Sequence, residues 1–384
     1  MKVTALFKGF FESEKSGGLL LILCTIVSLV VANSSMGEGY HHFWQTQFSG
    51  QSLEYWINDG LMTIFFLLIG LELEREIYKG ELSNIKDALL PIFGAIGGML
   101  IPATIFILFN YGTSTQSGAG IPMATDIAFA LGILSLLGNK VPTSLKIFLT
   151  ALAVMDDLGA ILVIAIFYTK TLLWSNLLIA LGIYVILLVI GRLKVTNLIP
   201  YLIGGVIMWY FMLHSGVHAT ITGVLLAFAI PFGRGGKKST SYILQHFLHK
   251  PVAFIILPIF ALANTAIVLS SDIGGTLTQN YSLGIALGLI VGKPLGIFVL
   301  TFLAVKIGIC QLPSDLNWKS IFGVGFLGGI GFTMSIFITL LAFDSETIIN
   351  NSKFVILISS LIAGVLGFVF LKFVLVETPN EFQE

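Results

Sequence analysis

Apolar residues run along this chain in long blocks separated by short polar stretches, and within the blocks apolar and polar positions do not alternate. About 20 consecutive apolar residues make a helix long enough to cross a bilayer. Twelve such blocks can be placed, at 17–33, 59–77, 88–109, 122–138, 145–168, 172–191, 198–213, 217–232, 251–270, 282–304, 320–343 and 354–376. The absent two-residue period excludes an outer-membrane barrel, whose strands alternate lipid-facing and lumen-facing residues. The pattern therefore predicts an all-α polytopic membrane protein of about twelve transmembrane helices. Residues 1–384 read as a single membrane domain: a short amphipathic segment at 1–16, the spans over 17–376, and a tail at 377–384.

Composition sharpens this picture. Charged residues are 10% of the chain, against about 25% in soluble domains. That excludes a soluble enzyme and a nucleic-acid binder, and a net charge of zero offers no basic face to an acidic partner. The two cysteines, Cys24 and Cys310, fall in or beside apolar blocks near opposite ends of the chain and read as unbridged packing residues.

Lysine and arginine set the orientation, because cytoplasmic loops retain them. With the N-terminus inside, 17 of the 20 basic residues fall on inner segments, Lys170 and Lys353 fall outside, and Lys293 lies within the membrane. The split supports an even number of spans with both termini cytoplasmic. No small-residue cleavage site follows the first block, so it reads as a retained span rather than a signal peptide.

Charges inside the apolar blocks carry the chemistry. A charged side chain at the bilayer centre costs about 2.5–3.5 kcal/mol on insertion scales and is a functional candidate by default. Asp126, Asp156, Asp157 and Lys293 lie deep, whereas Asp59, Glu72 and Arg75 lie nearer the ends of the second span. Asp156 and Asp157 are adjacent in ALAVMDDLGAILVIAIFY. Helical neighbours point about 100° apart, so at least one of the two must line a wet cavity or meet a partner. A carboxylate removed from water binds its proton more tightly, a second negative charge adds to that, and an ammonium opposes both. Carboxylate oxygens also suit hard cations. A site that holds protons or a cation, but not both together, is the minimum machinery for exchange. The plainer reading is a buried Asp–Lys pair that holds helices together, and the two can coincide.

Two spans carry helix-breaking sequence. Thr125 and Asp126 follow Pro122 in the fourth, and Gly325, Gly328, Gly329 and Gly331 precede Thr333 in the eleventh. Broken spans leave helix ends inside the membrane, partly positive at N-termini and partly negative at C-termini. Asp126 is placed to neutralise the former and Lys293 the latter. Paired breaks in corresponding halves of a chain point to a transporter's binding site.

At the end of the second span, LELEREIYKG, spacings of three and four put Glu72, Arg75 and Glu76 on one face. They read either as a salt-bridge cluster that ends the span or as a pH-sensing, cation-attracting mouth. His218 in HSGVHATITG and His246 in the basic stretch before residue 251 are further groups that titrate near neutral pH.

Seven strings, WINDGLMTIFFLLIGLELERE, MATDIAFALGILSLLG, ALAVMDDLGAI, SGVHATITG, PIFALANTAI, VGKPLGI and GGIGFTMSIFI, occur in this order over nearly the whole chain. Together they resemble the NhaA-type Na⁺/H⁺ antiporters. The resemblance implies inverted repeats with two discontinuous helices, the fourth and eleventh spans. It also implies a bacterial inner membrane, a homodimer, no cofactor, and Na⁺ or Li⁺ exported for more than one external H⁺, an electrogenic and pH-activated exchange for sodium and pH homeostasis.

Residue by residue, the resemblance makes Asp157 the principal sodium ligand and Asp156 its neighbour in exchange, bridged to Lys293 in the proton-loaded state. Thr125 and Asp126 belong to or support the cation site, and Lys293 is the dipole-balancing lysine. Asp59 is the accessory acid of the second span. Glu72, Arg75, Glu76, His218 and His246 match the pH-sensing positions. Gln245 stands where the family often has an acidic residue before the histidine, which puts the pH set point in question.

Rival readings are a sodium-coupled symporter of similar fold and an intramembrane aspartyl protease. Adjacent aspartates with no arginine nearby argue against an anionic cargo. A protease needs two aspartates facing each other from separate helices, and its glycine–aspartate motif does not occur.

Overall fold

With no water in the bilayer core, a spanning backbone must satisfy its own N–H and C=O groups, and a helix does so within one segment. The chain is accordingly helical over most of its length. The structure, a computed structural model, describes residues 2–169, 172–233, 235–268 and 272–375. The expected tail at 377–384 and the counted charges Lys170 and Arg234 lie outside the described residues.

In chain order, α1 is Lys2–Ala32 and α2 Gly37–Gln45, followed by a hairpin of two-residue strands, β1 Gln47–Phe48 and β2 Gln51–Ser52. A wide π turn, Trp56–Leu61, then feeds α3, Met62–Lys79. Next come α4 Ile85–Asn110, α5 Ile127–Ser135, α6 Thr143–Phe167, α7 Trp174–Arg192 and α8 Ile199–Leu213. They are followed by α9 Ile221–Ala229, α10 Thr240–Pro251 and α11 Leu257–Asn264. The last are α12 Asn280–Leu287, α13 Lys293–Ile307, α14 Trp318–Gly328, α15 Phe332–Ala342 and α16 Glu346–Val374.

Among the described residues, eight helical stretches are long and apolar enough to cross a membrane, or up to ten if each bent pair is one crossing. The sequence pattern counts twelve because two apolar blocks make short helices. The block at 198–213 is the 15-residue α8, and that at 217–232 keeps only the nine residues of α9 after an irregular turn. Three further features stand out. The helix α1 runs unbroken from Lys2 to Ala32. The polar stretch before residue 251 is helical, opened by Ser239, whose hydroxyl accepts from the Tyr242 N–H at 3.4 Å. Lys353, counted as an outer charge, is buried in α16.

The chain divides into two compact units, and the division passes through α1 and α6. The first comprises residues 1–19, 85–156 and 270–384. Its tightest crossing sets α4 on α13 at Gly97 and Gly296, where a Cβ on either would overlap the other's backbone carbonyl. The second comprises residues 20–84 and 157–269, with α9 lying along α3.

Candidate functional site

Asp126, Asp156 and Lys293 lie around two interruptions of the first unit. The stretch Gln116–Met123 is a tight 3₁₀ helix containing Pro122, after which Ala124 and Asp126 adopt extended backbone conformations. Opposite, α14 stops at Gly328 and α15 starts at Phe332, with 49° between them. Each interruption frees backbone groups that a membrane interior leaves without water. They are satisfied across the gap. The Asp126 N–H donates to the Ile330 carbonyl at 2.6 Å, and the Ser335 hydroxyl to the Ile121 carbonyl at 2.7 Å.

Asp126 carries the electrostatics of this crossing. Its carboxylate accepts from the Phe129 N–H at 3.0 Å, capping α5, and from the Thr333 N–H at 3.2 Å, within the first turn of α15. The Thr333 hydroxyl donates to it at 2.5 Å. One negative charge thus faces two positive helix ends, the place that favours an anion. With so many donors it is built to hold the structure.

Asp156 is differently placed. It points from α6 and is 1% exposed, beside Lys293, which is 0% exposed. Lys293 follows the π turn Gly288–Gly292 and precedes Pro294. A proline inside a helix removes a backbone bond, and the wide turn before it absorbs that loss. The Lys293 ammonium pairs with Asp156 Oδ2 and donates to the Thr125 hydroxyl at 2.9 Å. Thr125 Oγ1 lies 2.6 Å from Asp156 Oδ2 and 2.7 Å from the carbonyl of Gly328, the last residue of α14. Asp156 Oδ1 is buried with no hydrogen-bond partner among the described residues. That oxygen is the opening in an otherwise satisfied network. Asp157, the next residue of α6, is also 1% exposed.

A family model described as Na⁺/H⁺ antiporter 1 matches residues 8–371. The chain belongs to that family. It is 78% identical over 381 residues to the Na(+)/H(+) antiporter NhaA of Flavobacterium psychrophilum, covering 99% of each chain. It is 62% identical over 385 residues to the Na(+)/H(+) antiporter NhaA of Cytophaga hutchinsonii, covering 100% of each. Among solved structures it resembles the sodium proton antiporter MjNhaP1 from Methanocaldococcus jannaschii, with a TM-score of 0.50 at 15% identity. That match covers 98% of this chain and 96% of the other, and it shows a shared fold. The chain is thus a multi-pass helical membrane protein of an antiporter family.

The other residues singled out in the sequence fall in the second unit. Glu72 Oε1 lies 3.8 Å from His249 Nδ1 on α10. Arg75 donates to Gln245 Oε1 at 3.4 Å, and its guanidinium sits 4.7 Å from the centre of the Tyr242 ring, on which His246 stacks. The expected Glu72–Arg75 face of α3 therefore meets the face of α10 that carries Gln245 and His249. The Glu76 carboxylate folds back over Gly80, in the space a Cβ there would take. His218 is not brought to this cluster. It is half-buried in the turn before α9, whose Gly223 packs on Thr63–Leu67, towards the opposite end of α3. Asp59 sits on the π turn before α3, half-buried and bonded to Tyr55.

One polar pair escaped the sequence reading. Asn264 Nδ2 donates to Asn58 Oδ1 at 2.7 Å, with the return bond from Asn58 at 3.4 Å. Asn264 ends α11 and is 1% exposed. An asparagine inside the apolar string PIFALANTAI is the signal that would have found it. Among the described residues, no group of three or more His, Cys, Asp or Glu is placed to hold a metal ion.

Proposed function

We propose that this chain is a secondary transporter that exchanges cytoplasmic Na⁺ or Li⁺ for external H⁺ at Asp156 and Asp157, and that it is no enzyme. The observation that carries the reading is the Asp156 carboxylate, which shares one oxygen between Lys293 and Thr125 and leaves the other without a partner. A hard cation takes oxygen ligands, and Asp156, Asp157 and Thr125 supply them. A proton takes the same carboxylate oxygens, so the two ions compete for one site.

In this reading Na⁺ enters from the cytoplasm, displaces the Lys293 ammonium from Asp156 and is held jointly with Asp157. The loaded site then opens outward, where external protons neutralise the carboxylates and release the ion. Two carboxylates for one monovalent cation make more than one H⁺ per Na⁺ natural, so transport is electrogenic. Asp126 supports the site by holding the two interruptions. Asp59 is an accessory acid on the entry to α3. Glu72, Arg75 and Glu76 on α3, with His246 and His218, set the response to pH. The chain acts as one transporter domain in a bacterial inner membrane, both termini cytoplasmic, as a homodimer, with no cofactor and no nucleic-acid partner.

Calorimetry on the purified protein tests this reading. Adding Na⁺ or Li⁺ releases protons, measured as an apparent binding heat that scales with the ionisation enthalpy of the buffer. Asp156→Asn and Asp157→Asn each lower the proton release. Cation binding with no proton release at any pH between about 6.5 and 8.5 contradicts it.

A further inference from the structure

Glu74 is a buried acid that neither the exchange site nor the Glu72–Arg75 face of α3 uses. It is 4% exposed, and its Oε2 has no hydrogen-bond partner among the described residues. Successive helical residues turn by about 100°. That puts Glu74 on the side of α3 opposite Glu72, Arg75 and Glu76, in line with Gly70 and Tyr78. Within the second unit this line is covered by α9 and the residues that follow it. A Cβ on Gly70 would lie 2.7 Å from the Ala227 Cβ, and the Tyr78 ring centre stands 5.2 Å from that of Phe232. Glu74 falls between these two contacts, level with the end of α9, where Ala229 and Ile230 are buried.

The described residues offer no cation on this side of α3. The α9 sequence, ITGVLLAFA, has no ionisable group, and its last carbonyls add partial negative charge at this end. From α10, His249 faces Glu72 and Tyr242 takes the Arg75 guanidinium, both on the other side of α3, while His246 and Lys250 are exposed. The turn Val252–Ile256 carries no charge, the turn Glu81–Ser83 brings only another acid, and Asp59 lies at the far end of α3. Lys79 is exposed, and its position on the helix matches the Glu72 side. A carboxylate buried without a partner is neutralised rather than left bare. A metal cation would need several oxygen ligands, and no such group is assembled among the described residues. A proton needs only the carboxyl itself.

We propose that Glu74 is a proton-binding site in the second unit, distinct from the exchange carboxylates, whose proton is required for the end of α9 to close on α3. Opening that end brings the carboxyl to water, where it ionises, and closing it takes the proton back. Alkali therefore favours the open end. The proposal goes beyond the exchange reading and does not rest on it, because this proton is not one that Na⁺ displaces.

Hydrogen exchange of the backbone amides at 226–232, read by mass spectrometry, compares wild type with Glu74→Gln at the same pH. The pairing cancels the intrinsic pH dependence of exchange, and glutamine keeps the shape with no proton to lose. Between about pH 6.5 and 8.5, exchange in wild type is expected to outpace the variant increasingly, by up to about tenfold per pH unit, the most that one proton contributes. Infrared spectra taken without Na⁺ identify the group: the C=O stretch of protonated carboxyls has a component in wild type that Glu74→Gln lacks. Equal exchange in the two proteins at every pH, or the same carboxyl band in both, overturns the proposal. So does a glutamine variant that does not fold, since a neutral side chain of this shape is what the proposal places there. Absence of Na⁺-dependent proton flux in vesicles would sink the exchange reading alone, and so tells the two failures apart.

Discussion

Asp126 and Thr333, 207 residues apart, are joined twice: the Thr333 N–H and hydroxyl both donate to the same Asp126 carboxylate oxygen, at 3.2 Å and 2.5 Å. The other oxygen caps α5 through the Phe129 N–H. Asp126 thus secures the helix ends between which Asp156 and Lys293 meet. Removing a helix cap costs about 1 kcal/mol, so Asp126→Ala, which removes two, should destabilise the protein by about 2 kcal/mol. Thermal unfolding in detergent checks this. The expected result is a clear fall in midpoint for alanine and a smaller one for asparagine, which keeps an acceptor oxygen.

The Lys293–Asp156 pair is fully buried, so breaking it from one side strands a charge. Losing one partner of such a pair costs about 3–5 kcal/mol, whereas losing both costs much less. Lys293→Ala should therefore be markedly less stable than wild type, and Lys293→Ala with Asp156→Asn should recover much of the loss. A double-mutant cycle on the unfolding midpoints gives the coupling. Additive effects would mean that the ammonium and carboxylate do not depend on each other.

The α4–α13 crossing has no room for side chains at Gly97 and Gly296. Overpacking of a close contact costs about 1–3 kcal/mol, and here the clash is with backbone. Gly97→Val and Gly296→Val are each expected to lower the folded yield on size-exclusion chromatography. Gly236 has open space around it, and Gly236→Ala serves as the control with wild-type yield.

The Glu72–His249 contact, 3.8 Å, is an ion pair only while the imidazole is protonated. His249→Ala removes this contact between α3 and α10, and the pH profile of exchange is expected to change. An unchanged profile in proton-flux assays would remove this pair from the pH response. Gln245, which meets Arg75 without a charge, is a reason to expect a set point of the protein's own.

Much of this was legible in the sequence, for an identifiable reason. Asp126, Asp156, Asp157 and Lys293 stand out because charge in an apolar block is costly, and Pro122 and the glycines before Thr333 mark where helices stop. The place of Asp126 at two helix N-termini follows from the same logic. What the pattern does not contain is rotation and distance. The adjacent aspartates point about 100° apart on α6, and only packing decides that Asp156 is the one that meets Lys293. The Thr125–Gly328 bond runs to a backbone carbonyl, which no side-chain pattern encodes. Thr240–Pro251 is polar enough to read as a connection, yet its Ser239 cap and apolar Leu244 and Leu248 make it an amphipathic helix. His218 and Glu72 both stand out as titratable groups, and their place in the fold, with Gly223 of α9 packed on Thr63–Leu67 of α3, is not contained in the pattern.

The central claim is that Na⁺ and H⁺ exchange at the paired aspartates, and proton efflux from acidified everted vesicles tests it most directly. Na⁺, Li⁺ or K⁺ is added between about pH 6.5 and 8.5, with Asp157→Asn beside wild type. The account predicts efflux driven by Na⁺ and Li⁺ that rises with pH and disappears in Asp157→Asn. Cation-independent proton movement, or exchange that survives in Asp157→Asn, would contradict it.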